Sequence, residues 1–368
     1  MSTSTRFNPA SVDFRSDTAT TPTQSMLESV LQASIGDDVN NEDDDINELQ
    51  DYVAQLTGKE AGLYVVSGTM SNQLAIRTHL LTPPSSLICD YRAHIVVDES
   101  AGIAQLSNAM PYGIVPSNGK YLTLEDICAR VVPDFGNIHF APTKLISLEN
   151  TLHGEVYPFE ELQRISKFFR GKGFKLHCDG ARLWNAHVAT GIPLSQYGEL
   201  FDTISLCLSK SLGAPVGSVL VGDKEFITKA LHFRKQIGGG IRQGGMLARM
   251  AMIAIKENLP KLAKVNQVTK EVAKRLEANG LVIRESVDTN FIFIDYTKTP
   301  IENETLDLIA KREKINVWPQ RIAFHYQNIE DQEVLDKLVK VFTEAFELTR
   351  DTPELMQKHK DIVFTMEY

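Results

Sequence analysis

The chain has 368 residues and a mass of 41.1 kDa, enough to bury a substantial core and to build a main domain with an added lobe. Apolar residues make up 43% and charged residues 23%, with no low-complexity tract, which excludes a disordered or fibrous protein. The 38 Lys and Arg against 47 Asp and Glu give a net charge of −9, so no basic surplus exists to hold a nucleic-acid backbone and no such partner is expected.

In chain order, the N-terminus MSTSTRFNPA lacks the apolar centre of a signal peptide. No apolar run approaches the roughly 20 residues needed to span a bilayer. The last residues, FTMEY, carry no peroxisomal or endoplasmic-reticulum retrieval signal, so a cytoplasmic protein without membrane contact is expected. Short apolar runs then alternate with stretches of helical period, the pattern of a parallel α/β sheet. Strands are predicted at Gly62–Val66, Leu87–Cys89, Lys144–Leu148, Lys175–Cys178, Thr203–Leu208 and Gly217–Val221, with helices at Thr69–Leu81, Pro158–Phe169 and Leu194–Tyr197. A long helical stretch follows from Gly245 to about Ala278, broken at Pro260. Beyond it a second lobe is predicted, with strands near Phe291–Ile294 and Ile322–His325 and helices at Glu304–Arg312 and Asp331–Leu348. The expected division is 1–260, the N-terminal segment and large domain, and 261–368, a small α+β domain. Cys89, Cys128, Cys178 and Cys207 lie far apart without a CxxC pair, so reduced thiols are expected, with neither a disulfide framework nor a metal site.

In parallel sheets, ligands sit beyond the carboxyl ends of the strands, so the residues that end each run carry the chemical argument. Gly62–Val66 is followed by Ser67-Gly68-Thr69, Lys144–Leu148 by Glu149-Asn150, Lys175–Cys178 by Asp179, and Thr203–Leu208 by Ser209-Lys210. A strand-to-helix turn at Gly68 offers free N–H groups and the helix dipole to an anion, and Thr69 adds a hydroxyl. The turn also reads as an ordinary N-cap. It matches neither GxGxxG nor GxxxxGK[ST], which counts against dinucleotide and P-loop folds. Asp179, in HCDGAR, could pair with the protonated nitrogen of a cofactor pyridine ring and keep it an electron sink; the plainer alternative is an Asx turn. Lys210 ends the apolar run TISLCLSK, where partial desolvation would lower its pKa towards the neutral amine that a Schiff base requires. Ser209 and Arg242, the latter in GGGIRQGG, could complete a phosphate cradle, although Arg242 also reads as a surface residue beside a flexible loop.

The segments DFRSDTATTPT, IGDDV, GKEAGLYVVSGTMSNQ, CDYRAH, ISLENTLHGEVYP, LHCDGARLWNA, CLSKSLGAPVGSVLVG and FRKQIGGGIRQGG span nearly the whole chain. Together they resemble the low-specificity threonine aldolases, pyridoxal-phosphate enzymes of the aspartate-aminotransferase fold (fold type I). The resemblance implies a mainly parallel central sheet flanked by helices, with a smaller C-terminal domain. It implies that Lys210 joins the cofactor aldehyde, Asp179 pairs with the pyridine nitrogen and His94 stacks on the ring. Gly68, Thr69, Ser209 and, from a neighbouring subunit, Arg242 would hold the phosphate. Ser16, Arg182 and Arg321 would hold the substrate carboxylate, and His153 is the candidate base for the β-hydroxyl of threonine. The implied reaction cleaves the Cα–Cβ bond of a small β-hydroxy-α-amino acid to glycine and an aldehyde, in a homodimer or homotetramer with shared sites.

Three departures from the family pattern stand out. Asn40-Asn41 follows GDDV where many members have Tyr and Gly. Leu152 follows Glu-Asn-Thr where many have His, with His153 coming next, and Val96 replaces a common aromatic. These keep in view the fungal alanine racemases that make D-alanine for cyclic peptides, which share the cofactor residues; Asn40, near the substrate, could favour a smaller side chain or a different proton relay. A cofactor-holding protein without catalysis is disfavoured, because a mere binder has no need of the carboxylate clamp Arg182 and Arg321.

Overall fold

Residues 10–352, with Glu354 and Leu355, are described by a computed structural model of the chain. The contacts divide them into two compact units. One comprises Pro22–Leu152 and Val156–Lys256; the other takes in the residues before Pro22, His153–Glu155 and those from Glu257 onward.

The first unit is built on a seven-stranded sheet: β1 (Ala61–Val65), β2 (Ser86–Asp90), β3 (Met110–Ile114), β4 (Thr143–Glu149), β5 (Lys175–Gly180), β6 (Thr203–Cys207) and β7 (Ser218–Gly222), in the order β1-β7-β6-β5-β4-β2-β3. Among the described strands of this sheet only β7 runs against the others. β2, β6 and β7 are buried along their whole length, as expected of near-continuous apolar strands covered on both faces. The carboxyl ends of β1, β4, β5 and β6 therefore share one edge, as the polar residues ending those runs predicted. Two of those runs extend further than expected: Glu149 and Asp179 are the opposed pair near the ends of β4 and β5, still within the ladder.

β3 has no counterpart among the predicted strands. Its sequence, MPYGI, is half exposed at the sheet edge, and Pro and Gly break the apolar pattern that identified the others. The helix Asp44–Thr57 is likewise additional. Its start is hidden in an acidic run, yet Asp43 caps the N–H of Ile46, and Asp44 and Asp45 lie in the first turn, where the helix dipole favours negative charge. Gly58, at φ +66°, ends it.

The helix Gly68–His79 packs against β6, β7 and the helix Lys224–Gln236. Leu74 and Ala75 join Leu63, Val65 and Leu220 in one core cluster, so the helix start is anchored at the end of β1. The loop from β6 to β7 closes with hydrogen bonds from Leu208 N–H to Gly217 O and from Ala214 N–H to Leu208 O. Gly217 is obligatory there: it lies at φ +114°, and a Cβ would stand 2.4 Å from the Tyr64 ring.

Pro260 breaks the long helical stretch as predicted. A 3₁₀ turn at Leu259–Lys261 separates Gly245–Asn258 from Leu262–Ala278. In the second unit, β8 (Phe291–Phe293) and β9 (Arg321–Ala323) pair antiparallel, the helix Leu262–Ala278 packs on β8, and the helices Asn303–Glu313 and Gln332–Thr349 pack on each other. The N-terminal segment joins this unit by a parallel bridge between Asp13 and Asn316, and Phe14, fully buried, meets Phe324 edge-on at 5.5 Å. Among the described residues, no helix is long and apolar enough to cross a membrane.

Candidate active site

At the end of β1, Ser67 caps the next helix by accepting the N–H of Met70, and Gly68 and Thr69 open its first turn. The first N–H groups of a helix have no acceptor within it. Ser218 Oγ, at the start of β7, is buried without a hydrogen-bond partner among the described residues, and lies 3.7 Å from where a Cβ on Gly68 would stand. An orphaned hydroxyl beside an anion-binding turn is satisfied by a phosphate oxygen, and this is the observation by which pyridoxal phosphate fits the chain. Ser209 follows β6, with its Oγ 3.5 Å from Cys207 Sγ, and Lys210 comes next, its carbonyl accepting the N–H of Gly213.

Asp179 is almost fully buried, and each of its oxygens takes an N–H: Oδ1 from Ala181 at 3.1 Å and Oδ2 from Asn72 Nδ2 at 2.7 Å. The Asx turn offered as the plain alternative is thus present, and the carboxylate has a tertiary partner besides. Arg182 stands at the N-terminal boundary of the helix Leu183–Thr190, three residues after Asp179.

His94 begins a one-turn helix and gives its backbone N–H to Glu149 Oε2 at 3.0 Å. Its Nδ1 lies 2.8 Å from Glu99 Oε1. That hydrogen bond, helped by the charges of Asp179, Glu99 and Glu149 and opposed by burial, raises the imidazole pKa above its ordinary value. Burial, then the Asp179 charge, pushes the Glu149 carboxyl up to about 8, against the pull of the His94 N–H and of Lys210. Asn72 also donates to Glu99 Oε1 at 2.9 Å, and Gln73 to Glu99 Oε2 at 2.6 Å. One ligand atom from each of His94, Glu99 and Asp179 lies within 4.8 Å of the others, a grouping of the kind that can hold a metal ion. Here the amide of Asn72 already gives a hydrogen to each carboxylate, which is how a buried acidic pair is stabilised without a cation.

The remaining predicted residues fall into two groups. Ser16 caps a 3₁₀ turn, its Oγ accepting from Thr18 N–H, and Arg321 donates to the carbonyl of the adjacent Arg15 at 3.1 Å. The Arg321 guanidinium lies over Trp318 and Phe291. His153, at φ +52°, has its ring 5.3 Å from that of Phe293, and belongs to the same unit as Ser16 and Arg321. Asn40 and Arg242 form the other group: Asn40 is exposed on the 3₁₀ turn Asp38–Asn40, Arg242 Nε bonds Asp37 Oδ2 at 3.1 Å, and the Arg242 carbonyl accepts the N–H of Asp38. The Arg242 side chain is 77% exposed.

Asn72, Glu99, His177 and Ser218 were missing from the predicted set. A faint signal existed: Asn72 lies one helical turn beyond Gly68, and His177 two residues before Asp179, hence on the same face of β5.

An anion turn, a buried carboxylate and a lysine along one edge of a parallel sheet define a class of enzyme, one that holds a phosphorylated heterocycle. The comparisons give the particular family. A profile described as beta-eliminating lyase matches residues 13–299. The chain is 52% identical over 349 residues to the low specificity L-threonine aldolase of Saccharomyces cerevisiae, covering 95% of this chain and 90% of that one. It is 35% identical to an alanine racemase of Cochliobolus carbonum, covering 90% and 87%. The crystal structure of a putative L-allo-threonine aldolase from Listeria monocytogenes shares the fold, with a TM-score of 0.74 at 20% identity over 88% of this chain and 93% of that one. The chain belongs to the beta-eliminating lyase family.

Proposed function

We propose that this chain is a pyridoxal-phosphate-dependent aldolase that cleaves the Cα–Cβ bond of L-threonine and L-allo-threonine to glycine and acetaldehyde. The observation that carries the reading is the 52% identity, over 95% of the chain, to an L-threonine aldolase. When bound, pyridoxal phosphate supplies an electron sink for the pair released when a bond at the amino-acid Cα breaks.

The chain's own residues do the rest. Lys210 would hold the cofactor through its aldehyde, Asp179 would offer a carboxylate to the ring nitrogen, and His94 would pack against the ring. Gly68 and Thr69, with Ser209, hold the phosphate, joined by Ser218, whose hydroxyl lacks another partner. Ser16, Arg182 and Arg321 would take the substrate carboxylate and so fix the orientation of the amino acid. His153 removes the β-hydroxyl proton. Arg242, exposed in its own chain, reaches the phosphate of a second copy, and Asn40 beside it approaches that copy's substrate; this makes the working form a homodimer or homotetramer. We place the protein in the cytoplasm, with residues 1–260 comprising the N-terminal segment and the large cofactor-binding domain, and 261–368 the small domain.

Alanine racemisation is the second reading, favoured by the 35% identity to an alanine racemase. Incubation of the purified holoprotein with L-threonine, L-allo-threonine and L-alanine, followed by aldehyde detection and chiral analysis, separates the two. Acetaldehyde with glycine is expected. D-Alanine as the main product, without acetaldehyde, overturns the aldolase reading and leaves the cofactor residues assigned as before.

A further inference from the structure

We propose that Asn72, His177, Thr203 and His79 form a hydrogen-bond relay of fixed direction that positions Glu99 and Asp179, the latter being the carboxylate assigned to the cofactor. The proposal deepens the reading above and rests on pyridoxal phosphate being the group that Asp179 meets.

The direction follows from the geometry. Asn72 Nδ2 lies 2.7 Å from Asp179 Oδ2 and 2.9 Å from Glu99 Oε1. A carboxylate only accepts, so both amide hydrogens are used here, and the reversed amide would set its oxygen against two carboxylates. Asn72 Oδ1 then needs a donor. His177 Nε2, at 3.2 Å, carries the hydrogen. Burial drives the imidazole down to about 4, despite Asp179 and the Thr203 backbone, so His177 is neutral and its Nδ1 is a bare acceptor. Thr203 Oγ–H, at 2.9 Å, donates into that lone pair. The hydroxyl oxygen in turn accepts from His79 Nε2 at 2.9 Å. Reversing the chain would bring the bare Nε2 of His177 against the bare oxygen of Asn72, two acceptors in contact with no hydrogen between them.

Local structure builds the relay from a few residues. Asn72 and His79 are seven apart on the helix Gly68–His79, hence on one face. His177 and Asp179 share a face of β5, and the strand register sets Thr203 opposite His177. The same helix therefore begins at the predicted phosphate turn, meets Asp179 one turn later and His79's partner Thr203 two turns after that. Every bond points towards the carboxylates, so Asn72 meets Asp179 only as a donor and holds its Oδ2 in a fixed orientation.

The test reads tautomers and cofactor spectra together. In ¹⁵N-labelled protein freed of cofactor, NMR is expected to show His177 and His79 as neutral Nε2–H tautomers; His177 found as Nδ1–H overturns the relay, and this measurement needs no variant. Thr203→Val keeps the shape and deletes the hydroxyl. It is expected to leave His177 a mixture of tautomers, to shift the absorption band of the bound cofactor, and to weaken pyridoxal phosphate binding about ten-fold. Thr203→Ser is expected to restore all three. A folded Thr203→Val with unchanged tautomer, band and affinity overturns the proposal. A wild-type protein that gains no visible absorption band with pyridoxal phosphate overturns the cofactor reading instead, which the tautomer measurement distinguishes from failure of the relay.

Discussion

The side chains assigned to the cofactor and those assigned to the substrate rest on different kinds of backbone. Asp179 and Glu149 lie within strands of a buried sheet, and Asn72 on a helix whose flank packs into the core; Asn72 is tied to Asp179 at 2.7 Å and to His177 at 3.2 Å, and Glu149 takes the His94 N–H at 3.0 Å. Ser16, His153 and Arg321 sit on a 3₁₀ turn, a residue at positive φ and a three-residue strand. Rigid placement belongs where a charge must be held against a ring of fixed shape; irregular backbone suits residues that meet a substrate arriving and leaving. The difference teaches that the residues proposed for the cofactor lie mainly on the sheet and its packed helix, while Ser16, His153 and Arg321, proposed for the substrate, lie on irregular backbone.

The contrast is broken most severely at Lys210. Lys210→Ala is expected to abolish turnover while the protein still takes up the cofactor non-covalently; aldehyde release together with a dialysis assay checks both, and wild-type-like turnover would remove the lysine from the chemistry. On the substrate side, Arg321→Lys exchanges a planar fork for a point charge. Its KM for L-threonine should rise by roughly ten-fold or more with cofactor affinity unchanged, and a loss of cofactor instead would contradict the division of labour.

Rigidity itself is tested at Gly217, where the loop after Lys210 returns into β7. A methyl group at φ +114°, 2.4 Å from the Tyr64 ring, should cost about 2 kcal/mol or more in Gly217→Ala, read by denaturant unfolding. A further test is one of pH. The Glu149 carboxyl is raised from 4.5 to about 8, so between those values the folded chain binds more protons than the unfolded one, and stability falls as pH rises. Glu149→Gln cannot lose that proton. Its melting temperature is expected to decline less than the wild type's between pH 5 and 8, and parallel curves would show that Glu149 does not hold its proton.

Much of this organisation was legible in the residues. A run such as LISLE or LHCD is mostly apolar and ends on a carboxylate, and a polar group ending a buried strand needs a partner or costs free energy, so Glu149, Asp179 and Lys210 marked the edge of the sheet. β3 was illegible because MPYGI, exposed at a sheet edge, lacks the burial that imposes an apolar pattern. Ser16 and Arg321 came only through the family resemblance; what joins them is a hydrogen bond from Arg321 to the carbonyl of Arg15, 306 positions away, which no local pattern records.

By itself, then, the order of residues determined the elements: where apolar periodicity starts and stops, where Pro260 interrupts a helix, and which chemical groups stand at strand ends. These follow from short-range sterics and from the free energy of burying apolar surface, both of which act on neighbours in the chain. Which donors meet which acceptors was decided by tertiary structure alone. Asn72 lies between Asp179 and Glu99, and Thr203 between two histidines, because packing a helix on a sheet removes water from those groups and leaves them to pair with other protein groups.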